Sequence, residues 1–114
     1  MNTMTTAFSG LKLSDGRVTE VVIRRGELLV RLQDWRDRAL AVTFEDVIGF
    51  EGLGAIDADL SHAGESTDDP LIRGACRQAD ESPEGYHCFS LFSAWTDEPI
   101  LRIVARRAVI AESP

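Results

Sequence analysis

Residues 17–44 read RVTEVVIRRGELLVRLQDWRDRALAVTF and decide the fold, because apolar and polar side chains alternate along them. Alternation with a period of two is typical of a strand with one buried face. Three such runs follow one another, separated by a turn at Gly26 and by the polar residues 34–38, so an antiparallel meander is predicted. The clearest alternating positions are Leu28, Val30, Leu32, Leu40, Val42 and Phe44.

One helix is predicted after this meander. Asp69 suits the N-cap because its carboxylate can accept hydrogen bonds from exposed backbone amides, and Pro70 suits the first helical position. Pro83 and Gly85 end the helix near residue 80. Apolar residues recur at spacings of three and four, which predicts one apolar helix face: Leu71, Ile72, Ala75, Cys76 and Ala79.

A second β region follows the helix. Residues 86–95 are rich in aromatics and nearly uncharged, which is typical of a strand buried on both faces. A turn at residues 96–99 leads to a long return strand over residues 100–110, where Arg106 and Arg107 mark a predicted bulge. Residues 45–54 contain three glycines and fit neither period, so they are predicted to form a bent strand or a loop.

The predicted fold class is α+β, mainly antiparallel β. We expect a sheet of five or six strands with one short helix, at about residues 69–80, inserted between two β-hairpin regions. Residues 11–114 are predicted to form a single globular domain, and residues 1–10, which show no periodicity, a flexible N-terminal tail. The sequence contains no segment typical of a transmembrane helix or a secretory signal, so no membrane association and a cytoplasmic location are expected.

The formal net charge of −7 comes from one part of the chain. Residues 39–72, called the acidic segment below, contain eight acids and no Lys or Arg, whereas the other residues hold eleven acids and all twelve bases. The acidic segment therefore carries −8 and the rest carries +1, which disfavours nucleic acid and favours a basic protein partner. The charge also has a simpler interpretation, which is solubility. The acidic candidates for partner binding are Asp57, Asp59, Glu65 and Asp68.

No catalytic residues, cofactor or metal are predicted. Ser61–His62 and His87–Cys88 are the neighbouring pairs with a nucleophile and a base, but His87 and Cys88 lie in a predicted strand, where successive side chains point to opposite faces. Cys76 and Cys88 are expected to be buried thiols, and a disulfide between them is not expected in a reducing compartment. The carboxylates after Asp57 resemble a calcium loop, but His62 occupies the position where such a loop turns at glycine.

Two tryptophans, Trp35 and Trp95, lie at the ends of predicted strands beside acidic turns. A tryptophan in this position either caps the core or anchors a partner. A small domain seldom exposes two tryptophans, so core capping is the expected state of each ring. If they are exposed instead, they join the four acids as candidate partner-binding residues.

Two stretches carry a resemblance to known proteins. Residues 42–50, VTFEDVIGF, and residues 89–103, FSLFSAWTDEPILRI, resemble stretches in a class of small, uncharacterised, β-rich bacterial proteins. Some acidic members of that class resemble immunity proteins, which neutralise toxins encoded beside them. The resemblance lies in core patterns and carries no catalytic residue across. It implies a β-rich fold and suggests an immunity-like interaction function.

The leading hypothesis is a non-catalytic protein-interaction domain that presents an acidic surface to a basic partner. The alternative is a small-molecule-binding protein or enzyme with a pocket between the sheet and the helix, lined by His62, Tyr86 or Trp95. A homo-oligomer assembled through an exposed strand edge is a further possibility.

Overall fold

The alternating runs of the sequence form antiparallel strands in the structure, a computed structural model that describes residues 2–3, 7–52, 54–56 and 58–112. The 3-10 turn spans Phe8–Gly10 and the only α-helix of the described residues, α1, spans Pro70–Ala79. The strands are β1 (Asn2–Thr3), β2 (Arg17–Arg24), β3 (Glu27–Gln33), β4 (Ala39–Glu45), β5 (Gly49–Gly52), β6 (Leu60–Ser66), β7 (His87–Ser93), β8 (Pro99–Ala105) and β9 (Arg107–Glu112).

The strands divide into two sheets. Sheet 1 has the order β1-β9-β4-β3-β2 and sheet 2 the order β5-β8-β7-β6, and all neighbours are antiparallel. The prediction of mainly antiparallel β with one helix is confirmed, but the strands do not form one sheet of five or six. The predicted meander is β2–β3–β4, and the predicted second hairpin is β7–β8.

A two-stranded ribbon passes from one sheet to the other and explains this division. β4 leads into β5, and β8 leads into β9. These two segments stay paired with each other where they pass from one sheet to the other, which we call the corner. At the corner, the Arg106 amide donates to the Glu45 carbonyl at 3.0 Å and the Ile48 amide donates to the Val104 carbonyl at 3.0 Å. The long strand predicted over residues 100–110 is therefore two strands, and the break falls at Arg106, where the sequence predicted a bulge.

The core lies between the two sheets and is built by alternate residues of their inner faces. Phe8 also belongs to it: the side chain is only 4% exposed, and its ring meets those of Phe44 and Phe89 edge-on at 5.6 and 5.3 Å. Phe8 precedes residue 11, where the globular domain was predicted to begin. β1 likewise pairs with β9, so the fold includes parts of the predicted tail.

Helix α1 covers the outer face of sheet 2. Asp69 is the N-cap, with its side chain accepting from the Leu71 amide at 2.8 Å, and Pro70 is the first helical residue, as the sequence predicts. The helix approaches β5 so closely that a Cβ at Gly49 would lie 2.8 Å from the Ala75 Cβ. Buried side chains fill the interface between helix and sheet: Ile72, Ala75, Cys76, Tyr86, Cys88 and Val104.

No helix among the described residues has the length and apolar character needed to cross a membrane.

Candidate functional site

The acidic segment is not a free negative surface in the folded protein. Glu45 pairs with Arg107 at 2.8 Å, and Arg102 contacts both Glu51 and Asp69, the latter at 3.4 Å. These two arginines belong to β8 and β9, which lie next to β5 and β4 in the sheets. Strand pairing therefore brings cations from the end of the sequence onto carboxylates that are far away along the chain.

The candidate acids lie at different ends of β6. Asp59 directly precedes this strand, whereas Glu65 lies near its far end and Asp68 beyond it. Six residues of strand separate Asp59 from Glu65, which corresponds to about 20 Å. Glu65 contacts His87 at 2.9 Å, and Asp68 accepts a hydrogen bond from the Ser66 hydroxyl. Asp57 lies outside the described residues.

Asp59 contacts Trp95, and it lies where four loops meet at one end of the two sheets. We call this the tryptophan end; its loops are residues 14–16, 34–38, 58–59 and 94–98. The Leu60 amide donates to the Gly16 carbonyl at 2.8 Å, and the Ala94 amide donates to the Asp59 carbonyl at 2.9 Å. Arg17 pairs with both Gln33 and Asp59, which joins the β3–β4 turn to the same end.

Both tryptophans are exposed, so the expectation that they cap the core is wrong. Trp35 is 56% exposed and Trp95 is 83% exposed. The Trp95 ring is held from one side only, since its Nε1 donates to the Asp59 Oδ2 at 3.1 Å. The Arg36 guanidinium lies 4.4 Å from the centre of the Trp35 ring. The core contains neither ring and is filled mainly by leucine, valine, isoleucine and three phenylalanines.

Asp34 fixes the turn that presents Trp35. Its side chain is buried, with Oδ1 accepting from the Arg36 and Arg38 amides at 2.9 Å each and Oδ2 accepting from the Arg38 Nε at 2.8 Å. Burial raises the pKa of this carboxyl, but the Arg38 amide, the Arg38 side chain and the Arg36 amide stabilise the carboxylate more strongly. Together they hold its pKa below the ordinary value of 3.8.

Asp34→Ala is expected to lower the free energy of unfolding at neutral pH by about 2 kcal/mol, because two backbone amides and the Arg38 guanidinium lose their common acceptor. The folded-state pKa of Asp34 is lowered, so the carboxylate contributes its full stabilisation above its unfolded pKa of about 3.9. That contribution is lost as the pH falls through the lower folded pKa. Urea unfolding at neutral pH and in acid should therefore show the two proteins converging in acid.

Asp37→Asn is the matched control, since it removes a carboxylate from the same turn. Asp37 is exposed, has a backbone φ of 59° that asparagine tolerates, and makes no side-chain hydrogen bond among the described residues. Its unfolding free energy should stay close to that of the native protein. If the free energy of unfolding of Asp34→Ala stays below that of the native protein by the same amount at every pH, the assigned role of the carboxylate is contradicted.

Most acids at the tryptophan end come from outside the acidic segment. Asp59 belongs to that segment, whereas Asp15, Asp37, Asp97 and Glu98 lie in three other loops. The bases are Arg17 and Arg36, together with Arg38, which is paired with Asp34. Within the described chain, the carboxylates of Asp15, Asp37 and Glu98 form no ion pair, and that of Asp97 lies 3.9 Å from His62. The tryptophan end is therefore net acidic. Running charge along the sequence could not show this, because the acids come together only in space.

The residues proposed to line a helix–sheet pocket do not converge. Tyr86 is buried in the filled interface beneath the helix, His62 stacks on Phe92 with ring centres 4.3 Å apart, and Trp95 lies at the tryptophan end. A groove of about 360 Å³ lies elsewhere, between the tip of the β2–β3 hairpin and β5. His62, Tyr86 and Trp95 therefore do not line one pocket between helix and sheet.

The neighbouring nucleophile and base residues do not form catalytic groups. The Ser61 hydroxyl lies 2.9 Å from His62 Nδ1, but Asp97 approaches the same nitrogen, whereas a triad needs its acid on the other one. Cys88 lies under the helix, where burial raises the pKa of its thiol to about 11, and His87 contacts Glu65 instead. Both cysteines are free thiols.

Within residues 2–3, 7–52, 54–56 and 58–112, no group of three or more His, Cys, Asp or Glu side chains is arranged to hold a metal ion. The chain matches no protein-family model, no curated protein sequence and no solved structure.

Proposed function

We propose that this protein is a non-catalytic, immunity-like interaction domain that presents the tryptophan end to a basic protein partner. The observation that carries the proposal is the exposure of Trp35 and Trp95 on loops fixed to opposite sheets. Tryptophan is enriched among the residues that dominate binding energy at protein interfaces. Two exposed indoles on a rigid frame give a partner large apolar anchors at a small entropic cost.

The charges around these rings favour a basic partner. Apart from the Asp34–Arg38 pair, Asp15, Asp37, Asp59, Asp97 and Glu98 outnumber Arg17 and Arg36 at this end. Such an excess steers an oppositely charged protein into its encounter and raises the association rate, which added salt reduces. The acids would then set the association rate, and the two indoles would set the lifetime of the complex.

The test uses the purified full chain and proteins encoded by adjacent genes, because immunity proteins act on neighbours. Binding is measured by surface plasmon resonance. Trp95→Ala should weaken the binding by a factor of about ten or more, mainly through faster dissociation. Asp97→Asn combined with Glu98→Gln should slow association and reduce its dependence on salt.

Two control variants separate the tryptophan end from other surfaces. Phe50→Ser removes an aromatic side chain that is about half exposed on β5, outside this end, and should leave affinity unchanged. Glu65→Gln changes an acid of the acidic segment at the far end of β6 and should have little effect. Binding that survives Trp95→Ala but is lost in Phe50→Ser would overturn the proposal.

A further inference from the structure

Sheet 1 has an outer face that no described element covers, whereas α1 covers sheet 2. Leu28, Val30, Val42, Phe44 and Ile110 point into the core, so their neighbours along β3, β4 and β9 point outward. The strand register aligns one apolar row across this face: Val22, Leu29, Thr43 and Val109. Val109 is 36% exposed, and a shallow concavity of about 380 Å³ lies over the row.

Charged residues flank this apolar row on both sides. On one side the register aligns Arg24, Glu27, Glu45 and Arg107. On the other side it aligns Glu20, Arg31, Ala41 and Ala111. Ion pairs join neighbours within the rows: Arg24–Glu27 at 3.8 Å, Arg107–Glu45 at 2.8 Å and Arg31–Glu20 at 2.8 Å. An apolar centre with a charged rim is the usual composition of a protein interface.

The charged rows are complementary to a second copy of the same face. A two-fold axis that runs along the apolar row, across the strands, exchanges the two flanking rows. Arg24 then faces the partner's Glu20, and Glu27 faces the partner's Arg31. Symmetry repeats both contacts, which gives four pairs of opposite charge. On the other strands, Glu45 and Arg107 face the partner's Ala41 and Ala111, whose small side chains leave room for that ion pair.

The other two-fold axis in the plane of the face, along the strands, is unfavourable. It reverses each row onto itself, so Arg24 would face the partner's Arg107 and Glu27 would face the partner's Glu45. Like charges in these positions repel. The order of charges along the rows therefore selects one arrangement, in which the strands of the two copies run antiparallel to each other.

We propose that the outer face of sheet 1 is the interface of a symmetric homodimer. The apolar rows of the two copies are in contact, and the row that contains Arg24 in each copy faces the row that contains Glu20 in the other. This interface is separate from the tryptophan end and does not depend on the proposed function. Four strands by about seven residues give a face of roughly 20 by 20 Å, so the dimer buries about 800 Å² in total, which is the size of a weak, transient contact and not of a standard interface. The dimer is consequently in exchange with monomer at micromolar concentrations.

Sedimentation velocity of the full chain from about 1 to about 500 µM tests the association directly, in the range expected for a small interface. The native protein should shift from monomer to dimer. Val109→Asp places two carboxylates against each other at the axis and should keep the protein monomeric. Ile56→Asp is the matched control, since it also replaces an exposed aliphatic residue but lies off the outer face, bridged to Val18 at the edge of sheet 1, and it should still dimerise. A native protein that stays monomeric throughout overturns the proposal.

A charge exchange tests the predicted axis. Arg24→Glu places an acid opposite the partner's Glu20, and Glu20→Arg places a base opposite the partner's Arg24, so each variant alone should dimerise at least about tenfold more weakly. Mixed together they regain opposite charges at both contacts, and their heterodimer should approach the native affinity. Native mass spectrometry of the mixture distinguishes the species by mass. A mixture that associates no better than either variant alone rules out this arrangement.

Discussion

Replacing Phe8 by alanine is expected to lower the free energy of unfolding by about 3–4 kcal/mol, which is a large share of the stability of a domain this size. The ring is buried and meets Phe44 and Phe89 edge-on, so its removal leaves a cavity between the sheets. The midpoint of thermal unfolding should fall by about 10–20 °C. Differential scanning calorimetry measures both quantities.

Phe50→Ala is the matched control for this loss, because Phe50 is about half exposed on the edge strand β5. Truncating it should change the free energy of unfolding by less than about 1 kcal/mol. Equal effects of the two substitutions would contradict the position of Phe8 in the core, and with it the inclusion of residues 7–10 in the fold.

Gly16→Ala is expected to lower the free energy of unfolding by about 2–3 kcal/mol, as overpacking does where the surroundings cannot move. A Cβ at this position would lie 2.6 Å from the Gln33 carbonyl oxygen and 2.9 Å from the Leu13 carbonyl oxygen. Both are backbone atoms, and Gln33 is held by its pairing with Arg17. Gly16 also accepts from the Leu60 amide, so displacing it disturbs the junction of the two sheets.

Gly74→Ala gives the opposite sign and serves as the control. Gly74 lies inside α1, and a Cβ there would meet no atom within 4 Å. Alanine should stabilise the helix by about 0.5–1 kcal/mol, because it has less backbone entropy to lose on folding. Chemical unfolding of the two variants measures the contrast. Destabilisation of similar size in both would mean that crowding at Gly16 is not the cause.

Local patterns were enough to predict β2, β3, β4, the β7–β8 hairpin and the helix, but not β1, which lies in the predicted tail, or β6, where no strand was predicted. Alternation predicted β3 and β4, and the sequence Asp69-Pro70 predicted where α1 begins. The division into two sheets was not predictable in this way, because it depends on pairing between β4–β5 and β8–β9 across more than fifty residues. The burial of Phe8 was not predicted for a similar reason, because a single aromatic residue in a short 3-10 turn shows no repeating pattern of apolar positions.

The candidate site was predicted only in part. The sequence identified Trp35, Trp95 and Asp59, which lie at one end, but it grouped them with Glu65 and Asp68, which lie at the other. These residues are separated because β6 runs from one end of the sheet to the other. The charge summed along the sequence contains no information about that direction. The acids near the tryptophans lie in separate turns of the chain, and three of them, Asp15, Asp37 and Asp97, have a positive φ.

The ribbon that crosses between the sheets also bears on how the protein is made in the cell. β9 lies between β1 and β4, so sheet 1 is incomplete until residues 107–112 have been synthesised. Before then, the backbone of β4 has an open edge beside the apolar residues of β3, which is a site for aggregation between nascent chains. A product truncated before β9 would therefore be prone to aggregation, and sheet 1 depends on the synthesis of β9.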